Sequence, residues 1–132
     1  MEEETRRTLI QSLAAWALVV WLGGVAWLSL APAPPDLGAL VSDKLGHLLA
    51  YALGGAIGSA AAPRRRSQRR VLIALVAFGA LLELVQAAVP GRSPSLGDLA
   101  SNVAGVLLGR AITYLAARAL LRRAAPPQDI SR

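Results

Sequence analysis

The chain has 132 residues, no cysteine and a formal net charge of +6, with 55% of its residues hydrophobic and 17% charged. That length carries a single domain, and the lack of thiols excludes disulfides and thiolate chemistry. The basic balance does not point to nucleic acid, because the arginines fall between or beyond long apolar runs, where membrane topology accounts for them.

A membrane span needs roughly 20 mostly apolar residues at about 1.5 Å of rise each, and four runs of that kind fill most of the chain. The fold class expected is an all-α integral membrane protein, a four-transmembrane-helix bundle with both termini cytoplasmic. Residues 1–11 form a cytoplasmic N-terminus. The first helix covers about 13–31. Its apolar run is longer than a signal-peptide core, and Pro32 follows the weak cleavage-like string Ser29-Leu30-Ala31, so it reads as a retained helix. Trp16, Trp21 and Trp27 read as interfacial or lipid-facing anchors.

Pro32-Ala33-Pro34-Pro35-Asp36 closes that helix, since proline lacks the amide donor and restricts the residue before it. The second helix is expected at 43–62, the third at 71–89 and the fourth at 96–121. Residues 64–70 form a tight basic loop and residues 90–95 a turn-rich one. A disordered cytoplasmic tail takes 122–132. One side of this arrangement collects Arg6, Arg7, the arginines of 64–70, Arg118, Arg122, Arg123 and Arg132; the other holds only Lys44 and Arg92. The positive-inside rule therefore places both termini in the cytoplasm and the loops at 32–43 and 90–98 outside. Arg110, about 18 Å below Asp98 by helical rise, fits neither group.

Polar residues gather toward the outer side from four separate pieces of sequence. Asp43, Lys44, His47 and Tyr51 open the second helix. Glu83 and Gln86 lie in the outer half of the third, Arg92 in the outer loop, and Asp98 and Asn102 at the start of the fourth. Glu83 is the most informative, since it lies about 10 Å inside a span by helical rise. A carboxylate at that depth costs a few kcal/mol and faces a bundle interior. At about 100° per residue, His47, Gly54 and Gly58 share one line, as do Asp98, Asn102, Gly105 and Gly109. Each helix is thus expected to set a polar head above a glycine stripe that admits the other helix closely. Taken singly, Asp43 and Asp98 read as helix caps, and His47 and Asn102 as interhelical glue. Asp43, His47, Glu83 and Asp98 together could hold a divalent ion. No known metal-motif spacing is present, so neither metal nor cofactor is expected.

The string Ser42-Asp43-Lys44-Leu45-Gly46-His47-Leu48-Leu49-Ala50-Tyr51 resembles the first motif of the VanZ-like membrane family. Glu83-Leu84-Val85-Gln86 with Pro90-Gly91-Arg92-Ser93 resembles its second motif, and Ser95-Leu96-Gly97-Asp98 through Asn102 to Gly105 its third. The three stand in family order, over about residues 10–121. The resemblance implies a multi-pass protein of the bacterial plasma membrane with a role in the cell envelope, in contact with membrane lipids. The ligand class it implies is a lipid-linked envelope substrate or a lipoglycopeptide such as teicoplanin. In an enzymatic reading Glu83 and His47 carry the proton transfer, Lys44 and Arg92 bind an anionic head group, and Asp43, Tyr51, Gln86, Asp98 and Asn102 complete the pocket. The alternative is a structural or transport module without catalytic chemistry. The sequence leaves the choice between turnover and binding open, and the oligomeric state with it.

Overall fold

The computed structural model describes residues 1–31, 43–62, 64–89 and 94–124. Among them the chain is all-helical: α1 (Glu2–Leu30), α2 (Asp43–Ala61), α3 (Arg65–Gln86) and α4 (Leu96–Ala124). The proline segment at 32–42, the loop at 90–93 and the tail from 125 lie outside the described residues.

Four helix boundaries differ from the sequence expectation, each for a local reason. α1 begins near the chain start, because Glu2, Glu3 and Glu4 complement the positive end of the helix dipole. The Arg7 guanidinium, 2.7 Å from Glu3 one turn earlier, adds a side-chain pair. The basic run expected as a loop is the first two turns of α3. There the Ser67 hydroxyl accepts from the Arg64 N–H at 3.2 Å and donates to the Arg64 carbonyl at 2.8 Å, and arginine is a good helix former. The Gln68 amide also donates to the Ser59 carbonyl at 3.2 Å, which ties the start of α3 to the end of α2. α3 stops at Gln86, three residues early: Ala87, Ala88 and Val89 donate to carbonyls three residues back, the tighter turn that ends many helices. α4 continues through Arg122 and Arg123, whose charges suit a helix C-terminus.

The contacts fix the topology. Added Cβ atoms at Gly105 and Gly109 would strike the backbone of Leu48 and Ala52, and of Ala52 and Ala56, in matching order. α2 and α4 therefore run parallel. Gln86 near the end of α3 reaches Ser29 near the end of α1, so those two helices also run parallel to one another. They oppose α2 and α4, whose first turns they meet. One end of the bundle thus collects the N-termini of α2 and α4 with the C-termini of α1 and α3; the other end carries the arginines.

α2 is the central element, and its small residues are divided among three neighbours. Gly55 faces the backbone of Val106 on α4, Gly54 lies under the Trp21 indole of α1, and Gly58 meets Val71 and Leu75 of α3. This corrects the expectation that Gly54 and Gly58 form the face toward α4: the fourth helix presents its glycines to α2, but α2 answers with Leu48, Ala52, Gly55 and Ala56. Trp21 is likewise not a lipid-facing anchor. It is 8% exposed, stands edge-on to Tyr51 at 5.3 Å and 88°, and donates its indole N–H to the Ala50 carbonyl at 3.0 Å. Trp16 and Trp27 do remain exposed.

Trp21, Val25, Tyr51, Leu72, Leu75, Leu82 and Val106 make the apolar core. Outside it, Leu13, Val20, Leu49, Leu53, Ile73, Leu84, Leu107 and Leu115 stand exposed around the bundle. α1 and α4 are each long and apolar enough to cross a membrane. Only 11% and 17% of their apolar stretches are buried, unlike the wrapped core helix of a water-soluble fold. α2 carries Asp43, Lys44, His47 and four glycines, and the apolar part of α3 begins only at Val71.

Candidate functional site

The site lies at the end of the bundle where α2 and α4 begin. Helix register brings its parts together: Gly105 and Gly109 let the α4 backbone rest on α2. That close approach sets His47 against Asn102 one to two turns above. His47 Nδ1 is 2.9 Å from Asn102 Oδ1. The Asn102 amide nitrogen lies on the other side, next to the Tyr51 hydroxyl over Gly79: an added Cβ there would be 3.0 Å from the nitrogen and 2.8 Å from the hydroxyl. With its carbonyl turned to the ring, Asn102 accepts and His47 Nδ1 carries the proton. The other ring nitrogen, Nε2, faces Asp43 Oδ1 at 3.9 Å.

Glu83 approaches from α3 and is 6% exposed. One oxygen, Oε1, stands 4.0 Å from His47 Nδ1, beyond hydrogen-bond reach. The other, Oε2, accepts the Ser95 backbone N–H at 3.0 Å. Ser95 is the N-cap of α4: its hydroxyl accepts the Asp98 N–H at 3.3 Å, and its carbonyl accepts from Asp98 and Leu99. In a capping box the acidic side chain at the third helical position reaches back to the N-cap N–H. That position is Asp98, but Glu83 has taken the bond. Asp98 is therefore not the structural cap its place in the sequence suggests. It is 7% exposed, and its Oδ1 is buried without a hydrogen-bond partner among the described residues.

The remaining predicted residues distribute as follows. Asp43 opens α2 with its side chain 71% exposed. Lys44 is exposed and lies across Gly97, where an added Cβ would be 2.7 Å from its Cε. Tyr51 is 2% exposed and floors the cluster from below. Gln86 does not join the cluster; its amide donates to the Ser29 carbonyl at 3.0 Å and fastens α3 to α1. Arg92 lies outside the described residues. Arg110 is exposed, off the glycine face of α4. Ser95 and Gly79 were not singled out by sequence. The Ser-x-x-Asp spacing at 95–98 signals a helix start, but nothing in it reveals that a glutamate from another helix takes the cap bond. A depression of about 450 Å³ beside Met1, Thr5 and Ser12 is walled by α1 alone at the opposite end and touches none of these groups.

Chemically, the site is a row of carboxylates about one imidazole, running from buried Glu83 and Asp98 to exposed Asp43. Glu83 and His47 are neighbours but share no hydrogen bond, and the Glu83 carboxylate is occupied in holding α4. Asp98, His47 and Asp43 form a short path from the buried interior to the exposed end. Comparison of the chain with family models, curated proteins and solved structures gives no match.

Proposed function

We propose that this chain is a VanZ-like, four-span protein of the bacterial plasma membrane whose outward-facing polar pocket binds a lipid-linked envelope ligand or lipoglycopeptide. The motif resemblance supports the family, and the coat of exposed apolar side chains around all four helices supports insertion. The separation of ends supports the orientation: most of the arginines belong to one end, and Glu83, Asp98 and Asn102 are buried at the other. Trp21 of α1 packs in the core, which favours a retained first helix over a cleaved leader.

The observation that carries binding over turnover is the engagement of Glu83. Its Oε2 accepts the Ser95 N–H and so joins α3 to the start of α4, a structural task that accounts for a buried glutamate without proton transfer. What remains open is a polar mouth formed by Asp43, Lys44, His47 and Asp98, which suits capture of a charged head group at the membrane surface.

The test is drug susceptibility in a susceptible Gram-positive host, with wild type, His47→Ala and Glu83→Gln at matched membrane levels. Selective protection against teicoplanin over vancomycin is expected for wild type, rising in proportion to the amount of protein. His47→Ala should lose it. Glu83→Gln should keep part of it, because the carboxamide oxygen still accepts the Ser95 N–H. Abolition by Glu83→Gln at normal insertion would replace binding with proton chemistry. No protection by any variant would remove the lipoglycopeptide reading.

A further inference from the structure

We infer that Asp43, His47 and Asp98 form a divalent-cation site of the zinc type at the mouth of the pocket. The inference deepens the pocket reading above and rests on its placement of this cluster at an accessible face.

Each of the three residues offers a ligand atom, and these atoms lie within 4.8 Å of one another. Donors around a tetrahedral zinc ion at about 2.1 Å stand roughly 3.4 Å apart, so no pair in the cluster need close by more than about 1.4 Å. Asp43, with its side chain 71% exposed, is the member free to close that gap. Asp43 and His47 stand one turn apart on α2, the spacing that puts two ligands on one helix face. Asp98 enters from α4.

Two independent features separate this cluster from an ordinary acidic patch. The first is Asp98 itself: among the described residues its Oδ1 is buried and unpartnered, because Glu83 holds the N–H that a carboxylate at this position would cap. A buried carboxylate oxygen without a donor is expensive, and a cation between Asp98 and His47 removes that cost. The second is the support behind His47. The Asn102 carbonyl holds Nδ1–H at 2.9 Å, which fixes the tautomer and turns the Nε2 lone pair outward toward Asp43. This is the outer-shell arrangement of metal-binding histidines.

Charge balance agrees. Among the described residues Asp43, Asp98 and Glu83 gather about His47 with one cation beside them, Lys44, which forms no ion pair there. One nitrogen and two carboxylates suit zinc better than magnesium, which prefers an all-oxygen octahedron. Three protein ligands leave an open position facing outward, for water or an anionic ligand oxygen.

The experiment is Zn²⁺ titration of the full chain, stripped of metal with EDTA in detergent micelles, followed by calorimetry and thermal melting. Wild type should take up one Zn²⁺ per chain and melt at higher temperature with it. Asp98→Asn and His47→Gln should each weaken binding by roughly 100-fold or more, and Asn102→Ala, which only positions the ring, by about 10- to 100-fold. Metal-free Asp98→Asn should melt at or above metal-free wild type, since it loses an unpaired buried charge, which separates lost binding from lost folding. Absence of saturable Zn²⁺ uptake by wild type would overturn the site, as would unchanged uptake by Asp98→Asn and His47→Gln. Zn²⁺ binding in a protein that gives no drug protection would retain the ion site and remove only the ligand reading. Drug protection without Zn²⁺ binding would do the reverse.

Discussion

Gly109→Ala and Gly24→Ala are the same chemical change with opposite expected signs. Alanine is the better helix former, by about 1 kcal/mol in an exposed helix interior. At Gly24 a new Cβ meets nothing within 4 Å, so that gain stands alone. At Gly109 the new atom would run into the Ala52 carbonyl oxygen and lie 2.7 Å from the Ala56 nitrogen. Those are backbone atoms of a packed helix, which cannot swing aside as a side chain would. Overpacking costs about 1–3 kcal/mol, and a rigid obstacle puts this case near ~3. Set against the propensity gain of ~1 kcal/mol, Gly109→Ala should destabilise the bundle by about 2 kcal/mol, roughly 30-fold in the folding equilibrium. Gly24→Ala should stabilise it by up to about 1 kcal/mol. Reversible unfolding of both variants in monomeric detergent micelles reads the difference. Equal stability of the two would refute the close α2–α4 seam, and with it the register that brings Asn102 to His47.

Trp21→Phe keeps a ring against Tyr51 but removes the N–H bond to Ala50, and should cost about 1 kcal/mol. Trp16→Phe, at an exposed position, should leave unfolding in detergent unchanged within ~0.5 kcal/mol. The absence of native cysteine makes topology directly readable. A Pro94→Cys variant should react with a membrane-impermeant maleimide in intact cells, and an Arg65→Cys variant only after permeabilisation; labelling of Arg65→Cys in intact cells would reverse the orientation.

Much of the site was legible because its residues are costly in apolar surroundings. Glu83, His47, Asp98 and Asn102 stand out against leucine and alanine, and their positions in the chain assign them to one end of a bundle. The glycine face of α4 was also legible, since helical period alone aligns Gly105 and Gly109 with Asn102. The matching face of α2 was not. Gly54, Gly55 and Gly58 are neighbours in sequence yet serve three different helices, and no periodicity states which partner each admits. Trp21, Trp16 and Trp27 are alike as residues, and only packing separates the buried one from the exposed pair.

The sequence by itself determined the number of helices, the division between a basic and a polar end, and that Asp43, His47, Glu83, Asp98 and Asn102 belong to the polar one, because composition and period act locally. The tertiary structure alone decided what each polar group does. Glu83 and Asp98 lie on different helices, and which of them holds the Ser95 N–H depends on the register of α3 against α4. Glu83 takes that bond and becomes a cap. Asp98, freed from the cap its position favours, is left buried with an unpartnered oxygen beside His47.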